Sequence, residues 1–546
     1  SPFFQKGTNS NTSTLNNHNA RVKLKHNVDP STQFILDARL SFNNSSLLAD
    51  AFQQSFVQED LLSNEAEQEN NASIDLQNWS VEAKYQKKLR KAGRYFTSTL
   101  ALGNNRQFGD TDLNNVFTTF SNLTTSTETI QQRQEADRTQ PNYKAEINYS
   151  EPLGKANYLQ FRSKFQNDDA QKEKLFFDAS NSSNNFLLNE ELSNTFNRSL
   201  QKAGTGLVFK TVKQKYNWTA GLDYERAWLS GGNLQNADFE RGFNFILPSS
   251  FFTYKFTGSK QFRAQYRTRT SIPRIEQLQP VIDNSDPLRT TIGNPDLRPE
   301  YVHQLNLNFN SFNQFYLRSI FVGGNLEWTQ HKIINFLQFD EDLKASLLPI
   351  NSQPAFTANV YTNYDTPIKT WNLKIGVDSR FGFNHSPIAI NELEDRYALF
   401  TIDQSLRLQN KKKNKLDWQV HYTIAWNSIN YRENTAFNRQ FPVQEYLLDI
   451  NFLLTDTWNI SGVLEHIRYP KVDFSTAQNF TFLDFSLSKS TQDDKFSFYL
   501  KAKNILNVVD RLERTAIGNQ FLATNSNRLG RIVVLGLVYK LRKFGT

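Results

Sequence analysis

The chain has 546 residues, 38% hydrophobic and 13% aromatic, with a net charge of +8, seven histidines and neither cysteine nor methionine. No apolar run is long enough to cross a bilayer as a helix, which excludes a helical membrane protein; the lack of cysteine leaves these residues no disulfide, thiolate zinc site or thiol nucleophile. The 62 Lys and Arg residues are spread along the chain and mostly alternate with apolar residues, so they read as solvated sheet faces and no nucleic-acid partner is expected.

A mean hydropathy of -0.60 combined with 45 Phe, 20 Tyr and 8 Trp suits transmembrane β-strands, where every second residue meets lipid and aromatics mark the interfaces. The first clear strand is residues 20–25, followed by the turn Asp29-Pro30-Ser31-Thr32 and a strand at 34–42. Residues 45–76, with Glu59, Asp60, Glu65, Glu67 and Glu69, read as an acidic external loop, and 104–139 and 168–196 as further long loops on either side of a strand at 159–165. Trp218, Ala220, Leu222 and Tyr224 then alternate with Thr219, Gly221, Asp223 and Glu225. Strands follow at 262–266, 305–309 and 356–364, at Trp371, Leu373, Ile375 and Val377, and at Trp418, Val420, Tyr422, Ile424 and Trp426, where aromatics close both ends of the apolar stripe. The series finishes with 446–454, 496–502 and 531–541.

The connections alternate in length. Short turns at Gly154-Lys155, Gly258-Ser259-Lys260, Thr366-Pro367 and the basic run Lys411, Lys412, Lys413 and Lys415 interleave with long ones that include 271–300 and 508–529. A soluble sandwich has no need of that alternation, whereas an outer-membrane barrel has short periplasmic turns and long extracellular loops. The expected fold is therefore all-β, a transmembrane antiparallel β-barrel filling residues 1–546 as one domain. About 21 strands are countable. The last strand and the strand at 20–25 run the same way, so an even-numbered closed barrel of roughly 22 needs one upward strand before Ala20. Residues 1–4 are taken as its remnant. That size class has a plugged rather than an open lumen.

The segment SIPRIEQLQPVIDNSDPLRTTIGNPDLRPEYVHQLNLNF, residues 271–309, carries Pro273, Gln277-Leu278, Pro280, Gly293, Asn294, Pro295, Leu297, Pro299 and Glu300 ahead of an alternating strand. It resembles the barrel signature of TonB-dependent outer-membrane receptors, closest to the outer-membrane β-barrel family abundant in Bacteroidetes. The stretch Lys503-Asn504-Ile505-Leu506-Asn507 and a last strand with Gly536, Tyr539 and Leu541 resemble the same family, although its members end on an aromatic residue and this chain continues to Gly545-Thr546. The resemblance implies a bacterial outer-membrane location in contact with outer-membrane lipid. It also implies a plug domain, its own or separate, a TonB complex that pulls the plug, and external loops that bind the ligand. The plug, the TonB box and the first strand are expected ahead of Ser1. A SusD-like lipoprotein or other outer-membrane subunits are candidate partners.

Catalytic chemistry is not expected. His18, His26, His303, His331, His385, His421 and His466 lack ligand spacing, Asp340-Glu341-Asp342 reads as a solvated cluster rather than a cation site, and there is no phosphate loop, nucleophile elbow or dinucleotide fingerprint. No cofactor or metal is called for. One lumen feature stands out: Arg263, Arg267 and Arg269 alternate with Phe262, Ala264 and Tyr266. They read either as an anion-attracting or plug-docking ladder, or, preferably, as lumen arginines paired with carboxylates such as Asp223 and Glu225. The expected function is the barrel of an importer for a large or scarce nutrient such as a glycan, peptide or metal chelate. A non-transporting barrel that scaffolds a larger outer-membrane complex is the alternative, and an outer-membrane enzyme a distant third.

Overall fold

Strands account for nearly all of the chain in a computed structural model, which describes residues 4–58, 61–120, 125–179, 186–233, 239–280, 282–286, 289–340, 343–391, 393–411, 415–471, 477–493, 495–517, 520–527 and 529–540. One 26-stranded sheet forms the body. Twenty-one of its strands make a continuous antiparallel wall, from Phe4–Asp29 to Ile532–Tyr539, in which each strand is hydrogen-bonded to the next. The count from hydropathy thus matches the wall.

Side chains alternate across this wall as a membrane demands. Leu207, Leu222 and Ile246 point outward and are 55%, 57% and 62% exposed, surface that lipid covers. The inward face carries paired charges: Arg162 binds Asp223, next to Leu222, and farther round the wall Arg407 binds Asp365 at 2.8 Å. Aromatic pairs such as Phe34–Tyr85 and Phe496–Tyr539 lie across adjacent strands near the short-turn end, which fits an interfacial girdle.

The strands are taller than the sequence reading allows. The first six wall strands contain 26, 27, 28, 26, 28 and 23 residues, whereas about 9–11 suffice to cross a bilayer. The supposed external loops at 45–76 and 104–139 are therefore mostly strand, running through Thr32–Gln58, Leu61–Lys88, Tyr95–Phe120 and Thr125–Pro152; Glu59 and Asp60 lie outside the described residues. Above the membrane no lipid meets the outer face and the apolar alternation breaks up while backbone pairing continues, although Ala66 and Phe117 are buried on one face. Cross-strand polar pairs take over, as in Arg133–Asp112 at 2.7 Å and Asn44–Asp75 at 2.9 Å. Phe4 begins the same strand that carries Ala20, so it is not the remnant of an earlier strand; residues 1–3 lie outside the described residues. The long connection at 508–529 is a separate hairpin, Asp510–Ile517 with Gln520–Asn527.

Turns at the opposite end are short. At Asp29-Pro30-Ser31-Thr32 the Asp29 carboxylate accepts from the Ser31 amide at 2.6 Å and the Thr32 hydroxyl at 2.8 Å, a local bond that fixes the turn. The Thr366-Pro367 turn sits two residues later than expected: both residues end the strand Ala355–Ile368, and residues 369–372 turn, with Asn372 at φ 51°. Pro367 is tolerated there because it lies at the strand's end. Lys412 and Lys413 of the basic turn lie outside the described residues.

A charged tether ties two of these turns together. Glu151 accepts from Arg94 at 2.6 and 2.8 Å, from Lys91 at 2.7 Å and from the Tyr149 hydroxyl at 2.7 Å. The Arg94 guanidinium, then Lys91 and Tyr149, hold this carboxyl far below the usual range, at about 2. A carboxyl depressed on folding contributes its stabilisation above its unfolded value of about 4.3, and loses it as pH falls towards about 2. Protection of the amides in residues 89–94, each rate taken relative to the intrinsic rate at that pH, is therefore expected to be high at pH 6 and lost near pH 2, and Arg94→Gln should lower it at pH 6 as well.

Candidate functional site: a segment folded into the barrel mouth

The strand Lys260–Ser271 ends where Pro273 can no longer pair, and the chain turns inward. Gln277 Oε1 accepts from the Arg274 amide at 2.9 Å and opens the single helical turn Ile275–Leu278. A hairpin follows, Ile282–Asp286 against Arg289–Ile292, and brings Gly293 back onto the helical turn. The Gly293 and Asn294 amides donate to the Gln279 and Gln277 carbonyls at 2.9 and 2.6 Å. A Cβ on Gly293 would lie 2.3 Å from the Gln279 carbonyl oxygen, so only glycine permits this approach.

The closed segment packs apolar residues on the inner face of the wall. Ile275, Leu278 and Leu297 are at most 1% exposed and join Phe196, Leu200, Ala227 and Leu229. Leu200, Ala227 and Leu229 lie on the face opposite the outward Leu207 and Leu222, so this core sits inside the mouth. The family-signature residues divide accordingly. Gly293 closes the segment, Asn294 donates to the Pro349 carbonyl at 3.0 Å, Leu297 and Pro299 are buried, and Glu300 receives Lys332 at 3.0 Å and the Ile333 amide at 2.9 Å. Pro295 forms the bend between Asn294 and Asp296. IGNPDLRPEY, expected within the long external connection 271–300, is thus the returning half of an inward-folded element.

Polar contacts hold that element to distant strands. Arg138 pairs with Glu276 at 2.9 Å, Lys174 with Asp283 at 2.9 Å, and Arg241 with Asp296. Arg198, 8% exposed, pairs with Asp168 at 2.5 Å and donates to the Pro273 carbonyl at 3.5 Å. Burial pushes the Lys174 ammonium below its ordinary value against the pull of Asp283. Beside this element a second hairpin, Ile333–Phe339 with Ala345–Asn351, pairs in parallel with Arg289–Ile292. Its Lys344 sits 4.2 Å from the Phe117 ring and 3.2 Å from Glu128. Seven wall strands separate the one carrying Phe117 from the one leading into this hairpin, so it bridges the mouth. None of these partners is legible locally, since even the nearest pair, Arg198 with Asp168, is 30 positions apart and Lys344 with Glu128 is 216.

The arginine ladder occupies the polar face. Arg267 donates to Gln304 at 2.6 Å, Arg269 lies 3.6 Å from Glu327, and Arg263 is exposed. The expected carboxylate partners are engaged elsewhere: Asp223 with Arg162, and Glu225 with Lys164 at 2.6 Å and Lys202 at 3.7 Å. The reason is the strand between them on that side: Gly204 and Gly206 of Asn194–Val212 carry no side chain, so Lys164 and Asp223 reach across it. Among the described residues no group of three or more His, Cys, Asp or Glu is placed to hold a metal.

A wide antiparallel wall, apolar outside and charged inside, with a folded obstruction at one end, defines a bacterial outer-membrane β-barrel protein. Residues 87–539 match the model of the outer membrane protein beta-barrel family, and the chain belongs to that family. Solved structures to which it is similar include the siderophore receptor PirA from Pseudomonas aeruginosa, 10% identical over 93% of this chain and 79% of that one, with a TM-score of 0.36. The copper transporter OprC is 10% identical over 98% and 80%, with a TM-score of 0.46. The ferric-catecholate import receptor Fiu from E. coli K12 is 8% identical over 97% and 81%, with a TM-score of 0.41. No curated protein sequence matches the chain.

Proposed function

We propose that this chain is the barrel of a TonB-dependent receptor that takes up a large or scarce nutrient, such as a glycan, peptide or metal chelate, in the manner of the Bacteroidetes branch. The observation that carries this reading is the wall itself: at twenty-one strands it belongs with barrels whose lumen is plugged and must be opened by work. The resemblance of residues 271–309 to the receptor signature supports it further. Uptake by cells carrying the intact gene is expected to stop when TonB is deleted or the proton gradient is collapsed. Uptake that persists through both treatments would sink the reading.

The tall wall from Phe4–Asp29 to Asn157–Ala179 favours a second reading, a non-transporting barrel that acts as a structural subunit of a larger outer-membrane complex, whereas a SusD-like lipoprotein beside it would favour glycan or peptide capture. Affinity purification of the detergent-solubilised protein separates the two: a stoichiometric partner with no energised uptake supports the scaffold. In the transport reading the arginine ladder attracts anions or docks the plug. Changing Arg263, Arg267 and Arg269 together to Gln should then lower uptake of an anionic substrate several-fold with unchanged protein level. Equal uptake and equal plug retention would assign the three to lumen solvation.

A further inference from the structure

Lys and Arg occur throughout the chain, but its net charge sits in one place. The ten short turns of the wall, residues 30–31, 89–94, 153–156, 213–215, 258–259, 314–317, 369–372, 411–415, 454–457 and 491–495, hold by sequence twelve Lys and Arg against three Asp, a net of +9. The whole chain carries +8, so everything outside these turns together carries -1. Short turns of an outer-membrane barrel lie on its periplasmic side, and the excess positive charge is therefore gathered at one membrane surface.

Lysines at this end are held over lipid-facing rings. Tyr216 and Phe256 share the outward faces of Leu222 and Ile246 on their strands, and Trp458 shares that of the exposed Leu464. Lys213 lies 5.3 Å from the Tyr216 ring centroid, Lys260 5.1 Å from that of Phe256 and Lys489 5.0 Å from that of Trp458. Lys369 lies 5.6 Å from Tyr316 and joins two neighbouring turns, in which Phe315 and Trp371 are 86% and 70% exposed. Rings left bare at a barrel rim belong at headgroup depth. A lysine stretched over such a ring carries its charge to the level of the lipid phosphates rather than into the lumen. Among the described residues these four lysines have no carboxylate partner, whereas Lys91 and Arg94 are neutralised by Glu151.

We propose that the turn end of the barrel is a binding surface for anionic phospholipid of the periplasmic leaflet, recognised by its phosphate diester and net negative headgroup. Lys213, Lys260, Lys369 and Lys489 hold these headgroups around the rim and fix the depth of the barrel in the bilayer. An acidic soluble protein fits less well, because the four charges lie over rings that lipid covers. The proposal rests on the outer-membrane location alone and stands whether or not the barrel imports a nutrient.

The test reconstitutes the intact protein in phosphatidylcholine vesicles with a trace of spin-labelled phosphatidylglycerol or spin-labelled phosphatidylcholine. Electron paramagnetic resonance then reads the motionally restricted fraction of each. Phosphatidylglycerol is expected to associate about threefold more strongly, and the preference should vanish at about 1 M NaCl, where the Debye length is about 3 Å. Changing Lys213, Lys260, Lys369 and Lys489 together to Gln should lower the preference by about half or more, whereas changing the same four to Arg should keep it. Equal association of the two lipids with the unmodified protein overturns the inference and leaves the turn charge to an acidic periplasmic protein. A preference unchanged by the four Gln substitutions, in protein that keeps its strand circular dichroism, overturns the assignment to these lysines. Displacement of the labelled lipid by soluble glycerol phosphate at matched ionic strength overturns it in favour of a site for free phosphate.

Discussion

Replacing Glu225 by Gln is expected to destabilise the barrel by about 3 kcal/mol, the lower end of what breaking a buried charge pair costs. Glu225 is 3% exposed, and its carboxylate meets Lys164 at 2.6 Å, Lys202 at 3.7 Å and the Thr270 hydroxyl at 3.2 Å. The Lys202 side chain is 16% exposed and cannot easily rehydrate, whereas Lys164, at 41%, swings into the lumen water. That asymmetry places the estimate at the low end of the range. The loss arises from the ammonium left behind rather than from the bond removed, so Glu225→Gln with Lys202→Met should recover most of it. Urea unfolding of the protein refolded in lipid vesicles, followed by tryptophan fluorescence, measures both. A shift below about 1 kcal/mol for the single variant would mean that water reaches Lys202 freely.

Gly293→Ala should release the inward-folded segment. The added carbon would lie 2.3 Å from the Gln279 oxygen and 2.6 Å from its nitrogen, and both are backbone atoms tied to the helical turn, so neither can swing away. Overpacking of this kind costs about 1–3 kcal/mol. Relief requires parting the two ends of the segment, which breaks the Gly293–Gln279 and Asn294–Gln277 bonds and draws Leu297 away from Ile275 and Leu278. Proteolysis within residues 280–299 should accelerate at least tenfold, and single-channel conductance in planar bilayers should rise. Gly242→Ala is the control: it lies on the adjoining strand, and its added carbon meets nothing nearer than 4.0 Å. If both variants resist protease equally, the segment is held by its ion pairs rather than by the Gly293 closure.

The sequence by itself determined the crossings. Trp218 to Tyr224 and Trp418 to Trp426 alternate because lipid lies on one side and a charged lumen on the other, and the structure keeps those faces. Parity was legible too: strand direction alone revealed that the first and last strands descend together. The height of the wall was not legible, because residues 45–76 and 104–139 have no lipid-facing apolar stripe to report their pairing, and what buries Ala66 and Phe117 there comes from far along the chain. Nor was the fold of the mouth. Gly293, Leu297 and Pro299 announce a break in the sheet, but whether the broken segment lies outside or turns inward depends on Arg138, Lys174, Arg198 and Leu200, far away in the chain. Only tertiary structure brings those partners within reach, because ion pairs and apolar contacts act over a few ångströms whatever the sequence separation.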